Sequence, residues 1–230
     1  MRRLILPALL AAGSVSPAMA AERAFPIAGG YDRIANSTPF DVYVHTGKSP
    51  SVRASGTDKA VELLQIENRD GELRVGTRPG RWFSGWFNRE RARIDVTLPT
   101  LAGASVSGPG NMNVDAVKTP AFRGRLSGPG NISISAIEAG TVVLNLSGPG
   151  NISIAGRGGR GELSVSGPGN IRAERLNLAD ATVNVSGPGD VITNVSRTAN
   201  VRVSGPGNVR IRGGAHCSIH KSGPGSIDCG

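Results

Sequence analysis

The tetrapeptide Ser-Gly-Pro-Gly recurs along the C-terminal half of the chain, and this repeat constrains the fold more than any other feature. Seven copies occur 18 to 20 residues apart, beginning at Ser107, Ser127, Ser147, Ser166, Ser186, Ser204 and Ser222. A unit of this length is too short to hold a crossover helix and two strands, but it suffices for one coil of a solenoid with two or three short strands. The spacing therefore predicts an all-β, parallel solenoid of 18–20-residue coils, about 34 Å long over seven coils spaced by about 4.8 Å.

The residues that flank each motif alternate between apolar and polar types. Leu144 and Leu146 precede the third copy, and Ile152 and Ile154 follow it. A period of two is typical of a strand with one buried face. Since Leu146 and Ile152 are six residues apart, the inward phase continues across the motif and places its two glycines inward. Proline cannot donate to a strand ladder and glycine tolerates unusual backbone angles, so we expect the motif to form a corner.

The residue after each motif forms a column of its own. Such a column has two interpretations: a structural ladder of stacked amides along the rod, or a repeating ligand surface. We favour the ladder, because small polar residues suit a corner in any case. The column ends at Ser226 and otherwise consists of Asn111, Asn131, Asn151, Asn170, Asp190 and Asn208.

The N-terminus has the pattern of an export signal. Arg2 and Arg3 precede an apolar run, and Ala18-Met19-Ala20 supplies a small-x-small cleavage pattern. Residues 1–20 are therefore predicted to be a signal peptide, with the protein periplasmic, outer-membrane-associated or extracellular in a Gram-negative bacterium. The formal charge of +9 favours an anionic glycan, an envelope lipid or an envelope protein as partner, with peripheral membrane contact as one form. For an exported chain we do not expect nucleic acid.

Residues 21–100 differ in character from the repeat region, 101–230. They contain alternating segments such as Phe40-x-Val42-x-Val44, and a tight turn at Asn68-Arg69-Asp70-Gly71. We expect these strands to lead into the solenoid and to cover its first coil, since an open coil exposes apolar side chains and unpaired backbone.

Two cysteines lie near the other end, Cys217 and Cys229. In an oxidising compartment they are expected to form a disulfide that staples the last coil. The nearby His216 and His220 leave a Cys/His metal site as the alternative.

A cluster of aromatic and arginine residues interrupts the N-terminal strands, and we expect it to form a long hairpin loop. One interpretation is a binding site for a membrane interface, a glycan or a protein partner. The other is that the aromatic side chains fold back and plug the open end of the solenoid. The cluster consists of Arg81, Trp82, Phe83, Trp86, Phe87, Arg89, Arg91 and Arg93.

Catalytic patterns are not apparent in the repeats. The acids lie at unmatched offsets from their motifs, so the repeat register forces no carboxylate pair together, as glycoside hydrolysis requires. We therefore predict a non-catalytic, adhesin-like module of the cell envelope without a cofactor or metal. The alternatives are a β-helix enzyme that acts on polysaccharide and a purely structural envelope-stress protein.

The repeat units, the alternating lead-in and the segment Ile94-Asp95-Val96-Thr97-Leu98-Pro99 together resemble a known family over about residues 38–230. This is the bacterial putative auto-transporter adhesin, head GIN domain family, whose usual motif is close to Ser-Gly-Ser-Gly-Asp. The resemblance implies a right-handed parallel β-helix, and it brings no catalytic residues because the function of the family is unknown. The present chain departs from the pattern, with proline at the third motif position and mostly asparagine at the fifth.

Overall fold

The pairing of equivalent repeat positions defines the architecture. A computed structural model describes residues 21–78 and 91–230. It is 65% strand and 3% helix, and its stacked parallel coils form a β-solenoid of about six turns, which confirms the predicted fold class. The elements are β1 (Ala21–Ala24), β2 (Arg33–Asn36), β3 (Asp41–Thr46), β4 (Ser51–Gly56), α1 (Asp58–Leu63), β5 (Leu64–Arg69), β6 (Glu72–Thr77), β7 (Ala92–Leu98), β8 (Gly103–Val106), β9 (Met112–Leu126), β10 (Ile132–Leu146), β11 (Ile152–Val165), β12 (Ile171–Val185), β13 (Val191–Val203), β14 (Val209–Arg212), β15 (His216–Lys221) and β16 (Ile227–Cys229).

Each coil has three short walls. In the parallel pair β9–β10, Met112 lies beside Ile132, so one repeat stacks on the next with a shift of 20 residues. The pairing skips Asp115 and Pro120, and we take these as the bends that separate the walls. The motif corner then joins the last wall of one coil to the first wall of the next. In β9 the walls are residues 112–114 (wall 1), 116–119 (wall 2) and 121–126 (wall 3), and the other coils follow by register.

Aliphatic side chains from successive coils stack in columns inside the rod. Burying each one contributes about 1.5–3 kcal/mol, which makes these columns the main source of stability. The motif follows the phase predicted from the sequence, because Gly148 and Gly150 are buried whereas Ser147 and Pro149 are exposed. One column, at most 1% exposed throughout, consists of Val42, Met112, Ile132, Ile152, Ile171, Val191 and Val209.

Residues 33–46 form a further coil of the solenoid that the sequence analysis did not identify. β2 pairs in parallel with β8, and β3 pairs in parallel with β9. Between β2 and β3, Ser37-Thr38-Pro39-Phe40-Asp41 occupies the corner where the other coils have Ser-Gly-Pro-Gly followed by Asn or Asp. The signal was present but degenerate, since only the serine, the proline and the polar fifth residue remain.

The next coil outward is made by β6 and β7. β6 pairs in parallel with β2, and β7 pairs in parallel with β3. The outermost coil, made by β6 and β7, therefore follows the second coil, residues 33–46, in the sequence. β4 and β5 then pair antiparallel with β7 and β6, and β1 pairs with β4. As expected, β5 and β6 are joined by a tight turn, with positive φ at Asp70 (52°) and Gly71 (75°).

The topology corrects one prediction. The aromatic-arginine cluster at 81–93 was predicted to form a long hairpin loop, but the strands on its two sides, β6 and β7, do not pair with each other. Both edges of β6 are occupied, by β2 and β5, so the segment joins two walls of one coil. Among the residues described, no helix combines the length and apolar character needed to cross a bilayer.

Candidate functional site

The column after the motif is an amide ladder that runs along the corner. Each asparagine Nδ2 donates to the Oδ1 atom of the equivalent residue one coil earlier, for example Asn131 to Asn111 at 2.8 Å and Asn170 to Asn151 at 3.0 Å. The backbone N–H of each residue donates to the same oxygen, at 3.0 Å for Asn131. Because the amide groups of these side chains hydrogen-bond to one another, the structural interpretation is favoured over a ligand surface.

The ladder includes two acids. Asp41, in the degenerate corner, accepts from the backbone N–H and the Nδ2 of Asn111, both at 2.9 Å. Asp190 accepts in the same way from Asn208, at 2.7 and 2.9 Å. Toward Asn170, however, Asp190 offers only its backbone N–H, at 2.9 Å. A carboxylate has no amide hydrogen to donate, so one side-chain bond of the ladder is missing at this step.

Asp190→Asn should therefore stabilise the protein. The new Nδ2 would donate to the Oδ1 of Asn170, and a hydrogen bond of this kind contributes about 0.5–1.5 kcal/mol to the free energy of unfolding. Chemical denaturation followed by circular dichroism measures the change. Asp228→Asn is the control, because it removes the same charge from an exposed pair with Arg210. A similar gain in both variants would assign the effect to net charge and not to the ladder.

A second repeated feature lies beside the ladder and was not recognised from the sequence. The seven motif serines are all exposed, and their hydroxyl groups make no hydrogen bond to any other described residue. Parallel to them runs a second outward row on wall 3, formed by the residue two positions before each motif serine and in pairwise register from β8 to β15. We call the surface between the two rows the serine lane. Its wall-3 row consists of Ser105, Arg125, Asn145, Ser164, Asn184, Arg202 and His220.

Neither row of the serine lane contains an acid. Arg125, Arg202 and the adjacent Lys221 form no ion pair with any of the described carboxylates, so no carboxylate within salt-bridge distance compensates their charges. At its C-terminal end the lane widens into a shallow cavity of about 670 Å³, lined by Arg202, Lys221, His220 and the corner serines of three coils. Ile219 beside it is 47% exposed.

Wall 2 carries a smaller groove with a different charge balance. Glu138 lies between Arg157, at 3.0 Å, and Lys118, at 3.7 Å, over a cavity of about 560 Å³ floored by glycine and alanine. The hydrogen bond from Arg157, and then the charges of Arg157 and Lys118, lower the pKa of Glu138. The acid therefore stays ionised and offsets one of the two cations.

Most of the predicted aromatic-arginine cluster lies outside the described residues. This applies to Arg81, Trp82, Phe83, Trp86, Phe87 and Arg89. Arg91 and Arg93 are described, and both line a shallow cavity of about 340 Å³ at the degenerate corner. Arg93 is held in place, because it lies 3.8 Å from the ring centre of Tyr43 and 2.7 Å from Asp95. Its hydrogen bond to Asp95 raises the pKa of Arg93.

The two cysteines come together at the last coil. Cys217 in β15 and Cys229 in β16 form a disulfide-distance pair with Cα atoms 6.6 Å apart. They belong to different walls, since Cys217 pairs with Ala199 and Cys229 with Ile211 of the preceding coil. In the parts of the chain that are described, no three potential metal ligands among His, Cys, Asp and Glu come close enough to share an ion.

Comparison with known proteins agrees with this architecture. The family model described as "Putative auto-transporter adhesin, head GIN domain" matches residues 30–215. A putative adhesin from Bacteroides fragilis is similar in structure, with a TM-score of 0.83, 24% identity, and coverage of 93% of this chain and 98% of that one. A putative lipid binding protein from Parabacteroides distasonis (TM-score 0.71, 19% identity, 93% and 97% covered) and a putative adhesin from Parabacteroides merdae (0.72, 14%, 93% and 97%) have the same fold. No curated protein sequence matches the chain.

Proposed function

Because this chain belongs to the putative auto-transporter adhesin, head GIN domain family, we propose that it is a non-catalytic binding module of the bacterial cell envelope. One observation carries the proposal: the seven motif copies expose the same serine and proline positions one coil after another, so that this part of the surface is periodic along the rod axis. A periodic surface suits a partner that is itself periodic or extended. The names of the structural neighbours, adhesins and a lipid binding protein, are consistent with a binding role.

We propose in addition that the chain is exported and that its partner is an anionic component of the cell envelope. Residues 1–20 carry the export pattern, and the net charge of +9 favours an anionic envelope component. Such a component is a glycan, a lipid surface or an acidic envelope protein. Two other functions are kept as alternatives: an enzyme that acts on polysaccharide, and a structural envelope-stress protein that binds no ligand.

Binding assays with the purified chain separate these functions. We expect a glycan array and envelope extracts to yield at least one ligand whose binding weakens as salt rises, since exposed charges are screened. Chain shortening of a bound polysaccharide would instead indicate the enzyme. The absence of every interaction would favour the structural role and contradict the proposal. Trp82→Ala combined with Trp86→Ala tests the aromatic segment, which is excluded as a contact if this variant retains all binding.

A further inference from the structure

We infer that the serine lane is the binding surface for a linear, carboxylated glycan, which lies along the rod axis with its acidic groups at Arg202 and Lys221. The inference rests on the proposed binding function and adds to it a location and a ligand class. It depends on three features of the lane: its charge, its hydrogen-bonding groups and its length.

The charge of the lane selects an anionic partner. Arg202 and Lys221 line the C-terminal cavity, and the described acids leave both without an ion pair. Arg125 adds a third such cation farther along the same row, four coil steps before Arg202. The groove on wall 2 differs, because Glu138 already neutralises one of its two cations. An anionic group therefore gains more in the serine lane, where no carboxylate competes with it.

The polar groups of the lane suit a polyhydroxylated chain. On one side each of the seven motif copies supplies a serine hydroxyl that no other described residue binds, and on the other side most coils supply an amide, a hydroxyl or a guanidinium group, as at Asn145, Ser164 and Asn184. A hydroxyl group donates and accepts, and an amide side chain does both as well. Such pairs of rows can satisfy the hydroxyl groups of successive sugar units without a deep pocket.

The length of the lane distinguishes a polymer from a compact headgroup. Six coil steps separate the first motif serine from the last, which corresponds to about 29 Å at about 4.8 Å per step. A single phosphate or lipid headgroup would use only the C-terminal cavity and leave the rest of the lane unused. The lane also offers little apolar area for insertion into a membrane, because Ile219 is the one large apolar side chain that is exposed among the described residues.

Calorimetry with polygalacturonate and with its methyl ester tests the inference. The two polymers share one backbone, and only the first carries carboxylates. We expect the acidic polymer to bind and the ester to bind at least about tenfold more weakly. Arg202→Gln with Lys221→Gln should weaken binding of the acid about tenfold. The triple variant Ser166→Ala, Ser186→Ala and Ser204→Ala, made in the wild-type chain, should also weaken binding of the acidic polymer, although it changes no charge.

Lys118→Gln with Arg157→Gln is the matched control, since it removes the same two charges from the groove on wall 2. We expect this variant to retain the affinity for polygalacturonate within about threefold. An equal loss of affinity in both double variants would overturn the inference that the serine lane binds the glycan, because the attraction would then depend on net charge alone. Tighter binding to phosphatidylglycerol vesicles or to inorganic phosphate than to the polymer would also overturn it.

The outcome separates the lane from the proposed function. One outcome is that the wild-type chain does not bind polygalacturonate but binds another envelope component, which the lane variants bind as well. In that case the assignment of the serine lane as the binding surface is wrong, whereas the proposed binding function is retained. If the wild-type chain binds no envelope component at all, the binding function itself fails.

Discussion

Gly150→Ala is expected to lower the free energy of unfolding by about 3 kcal/mol, because the added methyl group has no space and the stacked backbone around it is held on both sides. A Cβ atom at Gly150 would overlap the carbonyl oxygen of Gly130 in the preceding coil and would lie 3.1 Å from Cδ2 of Leu126. The equivalent glycines of the other coils meet the same obstacle. The coils stack through backbone hydrogen bonds on both sides of the corner, so relief would require breaking that stack.

The position equivalent to Gly150 in the first-laid coil shows why glycine is needed elsewhere. Phe40 occupies it and is buried, 4% exposed. The coil outward of Phe40, made by β6 and β7, does not contain the Ser-Gly-Pro-Gly motif, so no motif backbone is stacked against the Phe40 side chain. On its inner side Gly110 approaches the backbone of Phe40 so closely that a Cβ on Gly110 would overlap the Phe40 carbonyl oxygen. Glycine is thus required where another motif corner is stacked beneath, and not by the local backbone angles.

Gly30→Ala is the control for this experiment. Gly30 is exposed, a Cβ there would meet nothing within 4 Å, and its φ is not in the left-handed region. Its substitution should change the free energy of unfolding by no more than about 0.5 kcal/mol. Guanidinium denaturation followed by far-ultraviolet circular dichroism measures both variants. If Gly150→Ala unfolds within about 1 kcal/mol of the wild type, the corner is less tightly stacked than the structure indicates.

The repeat allowed the coil, its phase and the all-β class to be predicted, because a strict period turns each local pattern into a stacked column. Leu146 and Ile152 already carried the phase across the corner, and their burial follows it. The coil at 33–46 was not predicted from the sequence, and the reason is physical. The coil stacked on its outer side, made by β6 and β7, does not contain the motif, so glycine was free to be replaced, as it is at Thr38 and Phe40.

The serine lane was missed for another reason. Its two rows are separated in sequence by only one residue, as Arg202 and Ser204 are, and the serine appeared to be a corner residue alone. The second row can be identified only when the register between the wall-3 residues of neighbouring coils is known. The spacing between motifs varies from 18 to 20 residues, and the differences are absorbed in irregular pairing such as that between β12 and β13. Sequence offsets counted from the motif therefore do not fix the register on every wall.

Removing the cysteine pair should destabilise the last coil without unfolding the rest of the rod. Cys217 and Cys229 are 12 residues apart, and closing a loop of about this size stabilises by about 3 kcal/mol. In a solenoid each coil contacts only its neighbours, so the loss stays local. For Cys217→Ala with Cys229→Ala we expect hydrogen exchange to accelerate in β15 and β16 and to remain slow in β9 and β10. Equal protection of β15 in both proteins would show that the pair contributes nothing to the order of this coil.

The same variant connects stability to the proposed glycan contact. β15 carries Lys221, and Arg202 lies on the neighbouring strand β13 in register with His220. If the last coil loosens, one wall of the C-terminal cavity loses its fixed position, and polygalacturonate should bind more weakly. Adding a reductant to the wild-type chain should reproduce this loss, whereas the same reductant should leave the affinity of the double variant unchanged. A reductant effect of equal size in both proteins would arise from something other than Cys217 and Cys229. It would show that the cysteine pair does not influence glycan binding.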